Sequence, residues 1–311
     1  MKPKRQEETV SVKVIAILGP TASGKSALAI SLALKHDALI FSLDSLAVYK
    51  ELDIASAKPS IQEQAGIRHF GIDELCIDQP FNVTDVARLY KEALEEAKEL
   101  KKPLIIVGGS SFYLKSLLTG LSTLPSYTKE TIEATKKQLE DLPSAFAFLA
   151  SVDPLSAQSI APNDKYRLEK LLLLYKQTKT APSLYFKEHP PQPLIEAMPI
   201  FTITMEKELL HERIGKRTKI MIENGLIDEI AKAEKKYGRA HQSMKAIGVI
   251  EVLEYLDAKL TRQELIEKIA HNTRQLAKRQ TTFNQSQFED AVFGSAKELE
   301  EKIEILLKAK P

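Results

Sequence analysis

The stretch Gly19-Pro20-Thr21-Ala22-Ser23-Gly24-Lys25-Ser26 has the spacing G-x-x-x-x-G-K-[S/T] and stands in the context that such a loop requires. Before it, Val12, Val14, Ile15, Ala16, Ile17 and Leu18 form a short apolar run rich in β-branched residues, which predicts a buried parallel strand. After it, residues 26–35 contain neither Gly nor Pro, and Leu28, Leu32 and Lys35 recur at helical spacing. Strand, glycine loop and helix in that order make a phosphate cradle. The glycines let successive backbone N–H groups turn inward, and the helix N-terminus adds its positive dipole end. In this reading residues 19–26 hold a diphosphate, Lys25 neutralises its terminal phosphate, and the Ser26 hydroxyl sits on Mg²⁺. Whether the diphosphate belongs to a nucleotide or to another ligand is left open by the loop.

Two further strand tips approach the loop. Residues 38–43 are apolar and end at Asp44-Ser45, which places a carboxylate at the carboxyl edge of a doubly wound sheet, where ligands bind. Asp and Ser are also favoured helix N-caps, and one residue can serve both purposes. Residues 103–107 form another strand, closed by Gly108-Gly109-Ser110-Ser111; it does not end in Asp, as the metal-holding strand of many nucleotide hydrolases does. Between these strands, residues 53–82 are broken by Lys58-Pro59, Gly66, Gly71 and Gln79-Pro80 and read as a loop or lid, whereas residues 83–101 form an amphipathic helix.

Later in the chain, residues 125–192 are helical in period and punctuated by Pro, with a capped helix start at Asn163-Asp164 and a returning strand at 200–204. From Lys207 onward the chain reads as almost all helix, ending in an amphipathic tail over 297–310. The expected fold class is α/β: a P-loop parallel-sheet core (10–122 and 198–311), with a helical insertion domain (123–197) and a helical C-terminal region. Two rows of cations, Arg213/Lys216/Arg217 and His271/Arg274/Lys278, each run without an intervening acid and suit anion binding or a solvated face.

Composition bounds the alternatives. With 311 residues, 43% hydrophobic, the chain can fill about two domains. Charged residues make up 28% but the net charge is only +2, so a polyanion must be met by a local patch. One cysteine, Cys76, allows no intramolecular disulfide and no thiolate cluster, and six scattered histidines lack zinc spacing. No apolar run reaches the ~20 residues of a membrane span, and residues 1–10 resemble no targeting peptide. The expectation is a soluble, cytoplasmic protein without membrane contact, and nothing points to an obligate protein partner.

Taken together the motifs resemble the tRNA dimethylallyltransferase (tRNA isopentenyltransferase) family. They are residues 19–26, Asp44-Ser45 with Tyr49, Leu52-Asp-Ile-Ala-Ser-Ala-Lys-Pro59, Val107-Gly-Gly-Ser110, Asn163-Asp164 with Arg167, and Arg274-Gln-Leu-Ala-Lys-Arg-Gln280, in the family's order across residues 13–285. The resemblance implies transfer of the dimethylallyl group from dimethylallyl diphosphate to N6 of the adenine just 3′ of the tRNA anticodon, with release of diphosphate. It implies Asp44 as general base, Thr21 as the contact to the oxygen bridging allyl group and diphosphate, and Arg213 as a further diphosphate contact, with Arg217 on the same helix. Asp44, Ser45, Leu46, Ala47, Ser110, Tyr166, Arg167, Leu168, Glu169 and Lys170 are implied to meet the anticodon loop, with Lys245, Gly248, Arg274 and Lys278. The target base is then pulled from the anticodon stack into a channel, at a cost of about a few kcal/mol.

The chain departs from the family at several points. Lys245-Ala-Ile-Gly248-Val249-Ile250 stands where Arg-x-x-Gly-Tyr-Lys/Arg is usual, Ser110 replaces Thr, Ala55-Ser56 replace Gly-Thr, and Phe283 stands in place of a Trp pattern. These changes bear on tRNA contact and leave Thr21, Lys25 and Asp44 untouched. Two rival activities share parts of the pattern: an adenylate isopentenyltransferase, and a small-molecule phosphotransferase whose strand-tip Asp serves a hydroxyl or Mg²⁺.

Overall fold

The computed structural model describes residues 12–308. The targeting-peptide reading of residues 1–10 and the last two residues of the expected tail helix lie outside the described residues. The chain divides into two compact units, one comprising residues up to Lys115 and from Glu196 onward, the other Ser116–Ile195.

The first unit opens with β1 (Val14–Leu18), α1 (Lys25–His36), β2 (Leu39–Ser42), α2 (Asp53–Ser56), β3 (His69–Phe70), α3 (Val83–Leu100), β4 (Leu104–Gly108) and α4 (Ser111–Thr119), within which the chain leaves it. Asn82 sets the start of α3 with a reciprocal cap: its side chain accepts from Thr84 and Asp85 N–H, and Asp85 accepts from Asn82 N–H.

The second unit is helical: α5 (Lys129–Gln138), α6 (Leu142–Val152), α7 (Pro154–Gln158), α8 (Lys165–Thr178) and α9 (Pro182–Glu188). Its core is Leu139, Ala145, Leu149, Ala157, Leu168 and Leu172. Asp153 orders one corner by accepting from Ser156 N–H, Ser183 N–H and the Ser183 hydroxyl.

The first unit resumes with β5 (Ile200–Ile203), α10 (Lys207–Glu223), α11 (Leu226–Tyr237), a 3₁₀ turn at Ser243–Lys245, α12 (Val249–Leu256), α13 (Arg262–Gln287), β6 (Val292–Gly294) and α14 (Ala296–Lys308). The six strands form one sheet in the order β3-β2-β4-β1-β5-β6, and every pairing is parallel. α1 and α14 cover one face: Leu28, Leu32, Leu299, Ile303 and Leu307 pack on Ile15, Ile17, Ile40, Ile105 and Phe201. A parallel sheet buried in this way explains why its central strands read as unbroken apolar runs. Among the described residues no helix is long and apolar enough to cross a membrane.

The structure adds short elements to two stretches. Residues 53–82 contain α2 and the edge strand β3, and the chain after Lys207 includes β6. Strands of two and three residues are too short to show a period. The segment is also pinned rather than loose. Glu229 of α11 accepts the N–H groups of Asp53, Ile54 and Ala55 at 2.9, 2.8 and 2.9 Å, closing the N-terminus of α2. Lys58, its side chain only 5% exposed, holds Asp53, Asp73 and the Tyr49 carbonyl together.

Glu229→Ala strips the α2 N-terminus of its carboxylate. It is expected to lower unfolding stability by about 1–2 kcal/mol, the worth of a charged helix cap, and to speed hydrogen exchange over residues 53–58. Unchanged denaturation midpoint and exchange would show that the segment is held by other contacts.

Candidate active site

The turns after β1, β2 and β4 meet at the carboxyl edge of the sheet. The loop after β1 holds Ala22 at φ 64° and Gly24 at φ 92°, two positive-φ residues that bend the chain sharply into α1. Gly24 is the N-cap of α1 and offers no side-chain cap, and the first turn of α1 has no acidic residue. Its amide donors and dipole end are therefore open to an anion.

Cations gather around this opening. Lys25 Nζ donates to Pro20 O at 3.2 Å. Burial pulls its pKa down to about 8; Asp44 opposes that shift and Arg217 adds to it. Arg217 of α10 donates through Nη1 to the Thr21 hydroxyl at 3.3 Å, and its own pKa is lowered by burial against the pull of Asp44. Arg213 is more exposed, with Nη1 3.8 Å from where a Cβ on Gly24 would lie. The sequence favours Arg213; the structure gives the direct contact with Thr21 to Arg217. Lys216, on the same row, is exposed.

Asp44 faces these cations with two differently occupied oxygens. Oδ1 accepts Leu46 N–H at 2.8 Å and Ala47 N–H at 3.2 Å, shaping the turn after β2. Oδ2 accepts no protein hydrogen bond among the described residues. One oxygen thus caps the turn while the other has no protein donor among the described residues.

The β2 and β4 turns are tied to each other. Ser45 N–H donates to Ser110 Oγ at 3.2 Å, and Ser110 N–H to Leu43 O at 3.2 Å. Gly108 is required here by contact: a Cβ would lie 2.0 Å from Leu43 O.

Beneath the loop, α10 and α13 pack through Leu210, Ile214, Ala270 and Ala277, with Ala22 and Met205 against them. Arg274 lies on this face of α13, between Ala270 and Ala277, and its buried Nε has no partner among the described residues. The row His271/Arg274/Lys278 is therefore not one uniform solvated face, although Lys278 and His271 are exposed. A residue given no role by the sequence, Gln280, accepts Thr21 N–H through Oε1 at 2.8 Å and donates through Nε2 to Gly109 O at 3.0 Å. Its signal was its place: Gln280 lies about one turn beyond the buried Ala277, half-buried on α13, where a polar side chain calls for partners.

Other sequence-nominated residues sort by exposure. On α8, Tyr166 is 71% exposed, Lys170 Nζ lies 5.4 Å from its ring centroid, and Arg167 pairs with Asp164 at 2.7 Å. Leu168 is a correction: it is fully buried in the core of the second unit and presents no surface to RNA. Ala47, 3% exposed, is likewise a correction: its N–H goes to Asp44 and its carbonyl to Asp73 N–H, leaving almost no surface. Glu169 is partly exposed and Lys245 exposed, while Gly248 is buried at the N-cap of α12 with φ 94°. Glu251 ties that cap to α13, accepting Gly248 N–H at 2.6 Å and Asn272 Nδ2–H at 2.6 Å.

For Mg²⁺, no group of three or more His, Cys, Asp or Glu able to hold a metal exists among the described residues. The exposed Ser26 hydroxyl at the open end of α1 fits a metal that takes most of its ligands from phosphate oxygens and water.

A family model described as IPP transferase matches residues 47–287. The chain is 50% identical over 290 residues to a tRNA dimethylallyltransferase of Sulfurovum sp., a match covering 93% of this chain and 96% of that protein. Its fold is similar to that of a tRNA delta(2)-isopentenylpyrophosphate transferase from Staphylococcus epidermidis, with TM-score 0.67 and 30% identity over 96% of this chain and 99% of the other. It is also similar to a eukaryotic dimethylallyltransferase acting on tRNA, with TM-score 0.75 and 28% identity over 88% and 70% of the two chains. Such identity over nearly the whole length, on the same parallel-sheet fold, means that the chain belongs to the tRNA dimethylallyltransferase family.

Proposed function

We propose that the chain transfers the dimethylallyl group of dimethylallyl diphosphate to N6 of the adenine 3′ of the anticodon in tRNA. The observation that carries this is one cluster: an open helix N-terminus, Lys25 and Arg217 around Thr21, faced by an Asp44 oxygen with no protein donor.

The cluster suits an allylic substitution. The bond between the allylic carbon and the bridging oxygen breaks, and its electrons leave on diphosphate. That charge builds beside the loop amides, Lys25 and Arg217, with Arg213 at the rim, where fixed donors stabilise it. The Thr21 hydroxyl, accepting from Arg217, keeps its own proton for the bridging oxygen. A new bond forms from N6 to the allylic carbon, and the N6 proton passes to Asp44 Oδ2. Mg²⁺, held by Ser26 and the diphosphate oxygens, supplies further charge neutralisation when bound.

The tRNA is met by the exposed Ser45 and half-buried Ser110 at the strand tips, and by the exposed Tyr166, Arg167 and Lys170 on α8, Lys245 and Lys278. Tyr166 with Lys170 pairs a stacking ring with a phosphate-binding cation, a combination suited to splayed bases of a loop.

The decisive test offers the protein Mg²⁺, dimethylallyl diphosphate and unmodified tRNA, then reads digested nucleosides by mass spectrometry. Parallel tubes hold AMP as acceptor, or ATP without the allylic donor. A mass gain on anticodon-loop adenosine is expected; prenylated AMP alone, or ADP formation, would replace the reading with one of its rivals.

Asp44→Asn keeps an acceptor for Leu46 and Ala47 N–H but removes the base. Single-turnover transfer is expected to fall roughly 10²–10⁴-fold with tRNA affinity retained, and an unchanged rate removes Asp44 from the chemistry.

Lys25 makes a pH prediction. In the free protein its ammonium loses its proton as pH rises through about 8; a bound diphosphate favours the charged form and raises that pKa. Donor binding should therefore take up close to one proton at pH 9 and almost none at pH 7, measured calorimetrically in buffers of different ionisation enthalpy. Lys25→Met should remove the difference. Equal proton uptake at both pH values in the unsubstituted protein would place Lys25 away from the diphosphate.

A further inference from the structure

Gln280 occupies the crevice between the ends of β1 and β4. These strands are neighbours, yet the chain runs from β1 to β2 on one side and, after β4, returns to β5 on the other. Such a switch in direction opens a crevice beyond the strand ends where ligands bind. Here α13, more than 250 residues further along the chain, inserts one side-chain amide into it. Oε1 takes Thr21 N–H from the loop after β1, and Nε2 gives its proton to Gly109 O from the turn after β4. The fit leaves no slack. A Cβ on Gly109 would lie 2.5 Å from Gln280 Nε2, so a side chain placed there displaces the end of the glutamine. A side-chain amide accepts with its oxygen and donates with its nitrogen, serving both partners without bringing a charge.

The consequence falls on Thr21. Its N–H is consumed by Gln280 and cannot turn to a phosphate, while Ser23 N–H is directed to Pro20 O. Thr21 therefore meets a ligand through its hydroxyl alone, and Arg217 Nη1 donates to that oxygen from the other side. Backbone and side chain of Thr21 are each fixed by one group from a C-terminal helix.

We propose that Gln280 is a positioning residue for the leaving-group end of the reaction: it turns the Thr21 amide away from the diphosphate so that the hydroxyl meets the departing oxygen. This rests on the prenyl-transfer reading. The alternative is that the α13 segment around Gln280 serves tRNA only, which predicts a different pattern of loss.

Gln280→Leu and Gly109→Ala disturb the same amide from opposite sides. Each is compared with Thr21→Ala and with the two double variants in full-length protein. At saturating donor and tRNA, each single variant is expected to slow single-turnover transfer roughly 10–100-fold, the scale of a small misplacement at a reacting centre, while tRNA Kd stays within about twofold. In the Thr21→Ala background the further loss should shrink to about threefold or less, because the residue acted upon is gone. Losses that simply add, or a loss of tRNA affinity with the saturated rate intact, overturn the proposal. Should Gln280→Leu fail to fold, Gly109→Ala and Gln280→Met carry the same comparison.

Hydrogen exchange of the peptide containing residues 19–26 separates this proposal from the function it rests on, since it needs no turnover. Exchange at Thr21 should be slow in the unsubstituted protein and fast in Gln280→Leu. Fast exchange in both overturns the clamp whatever reaction the protein performs, whereas slow-to-fast exchange in a protein that transfers no prenyl group overturns the function and leaves the clamp standing.

Discussion

Two half-buried cations and an open helix end converge on one loop, with one carboxylate beside them. Burial lowers the pKa of both Lys25 and Arg217, Arg217 adds to the shift on Lys25, and Asp44 offsets only part of it. The end of α1 adds open amide donors without a side-chain cap or an acidic first turn. Such a site favours a multiply charged anion. Under the proposed reaction the same positive groups would meet the charge gathering on a departing diphosphate, which would link binding to the chemical step.

Everything around the loop serves to hold that arrangement in place. The parallel sheet aligns three strand tips, and the glycine turn after β4 lets the backbone of β2 approach closely at Leu43. α10 and α13 then pack under Ala22 and deliver Arg217 and Gln280 to the two ends of Thr21. The active-site loop is thus shaped by residues more than 190 positions away in sequence. Asp44 shows similar economy: one oxygen orders its own turn, and the other, without a protein donor among the described residues, is the one the proposed reaction uses.

Much of this was legible in the sequence because it rests on local chemistry. A glycine loop between an apolar run and a Gly-free helix, a strand ending in Asp, and an Asn-Asp helix cap each announce themselves within a few residues. Side-chain destinations set by packing did not. Leu168 sits in a run of residues that resembles an RNA-contacting segment, yet its position on α8 turns it into the helical core. Arg213 and Arg217 are one turn apart and equally cationic; which one reaches Thr21 depends on how α10 lies against the loop. β3 and β6 are edge strands too short for periodicity, and their pairing comes from the sheet already formed. Gln280 stood in a recognised motif, but its two partners are backbone groups, which sequence alone cannot assign.

The most direct measurement of the central claim is a crystal structure with Mg²⁺ and a dimethylallyl diphosphate analogue whose bridging oxygen is replaced by sulfur, which resists cleavage. The expected result has the diphosphate against the N-terminus of α1, Lys25 and Arg217, with the Thr21 hydroxyl on the bridging sulfur, the Thr21 amide still on Gln280, and Asp44 Oδ2 facing the allylic carbon. A diphosphate seated instead along the α13 cations, or a Thr21 amide swung from Gln280 onto a phosphate oxygen, would contradict it.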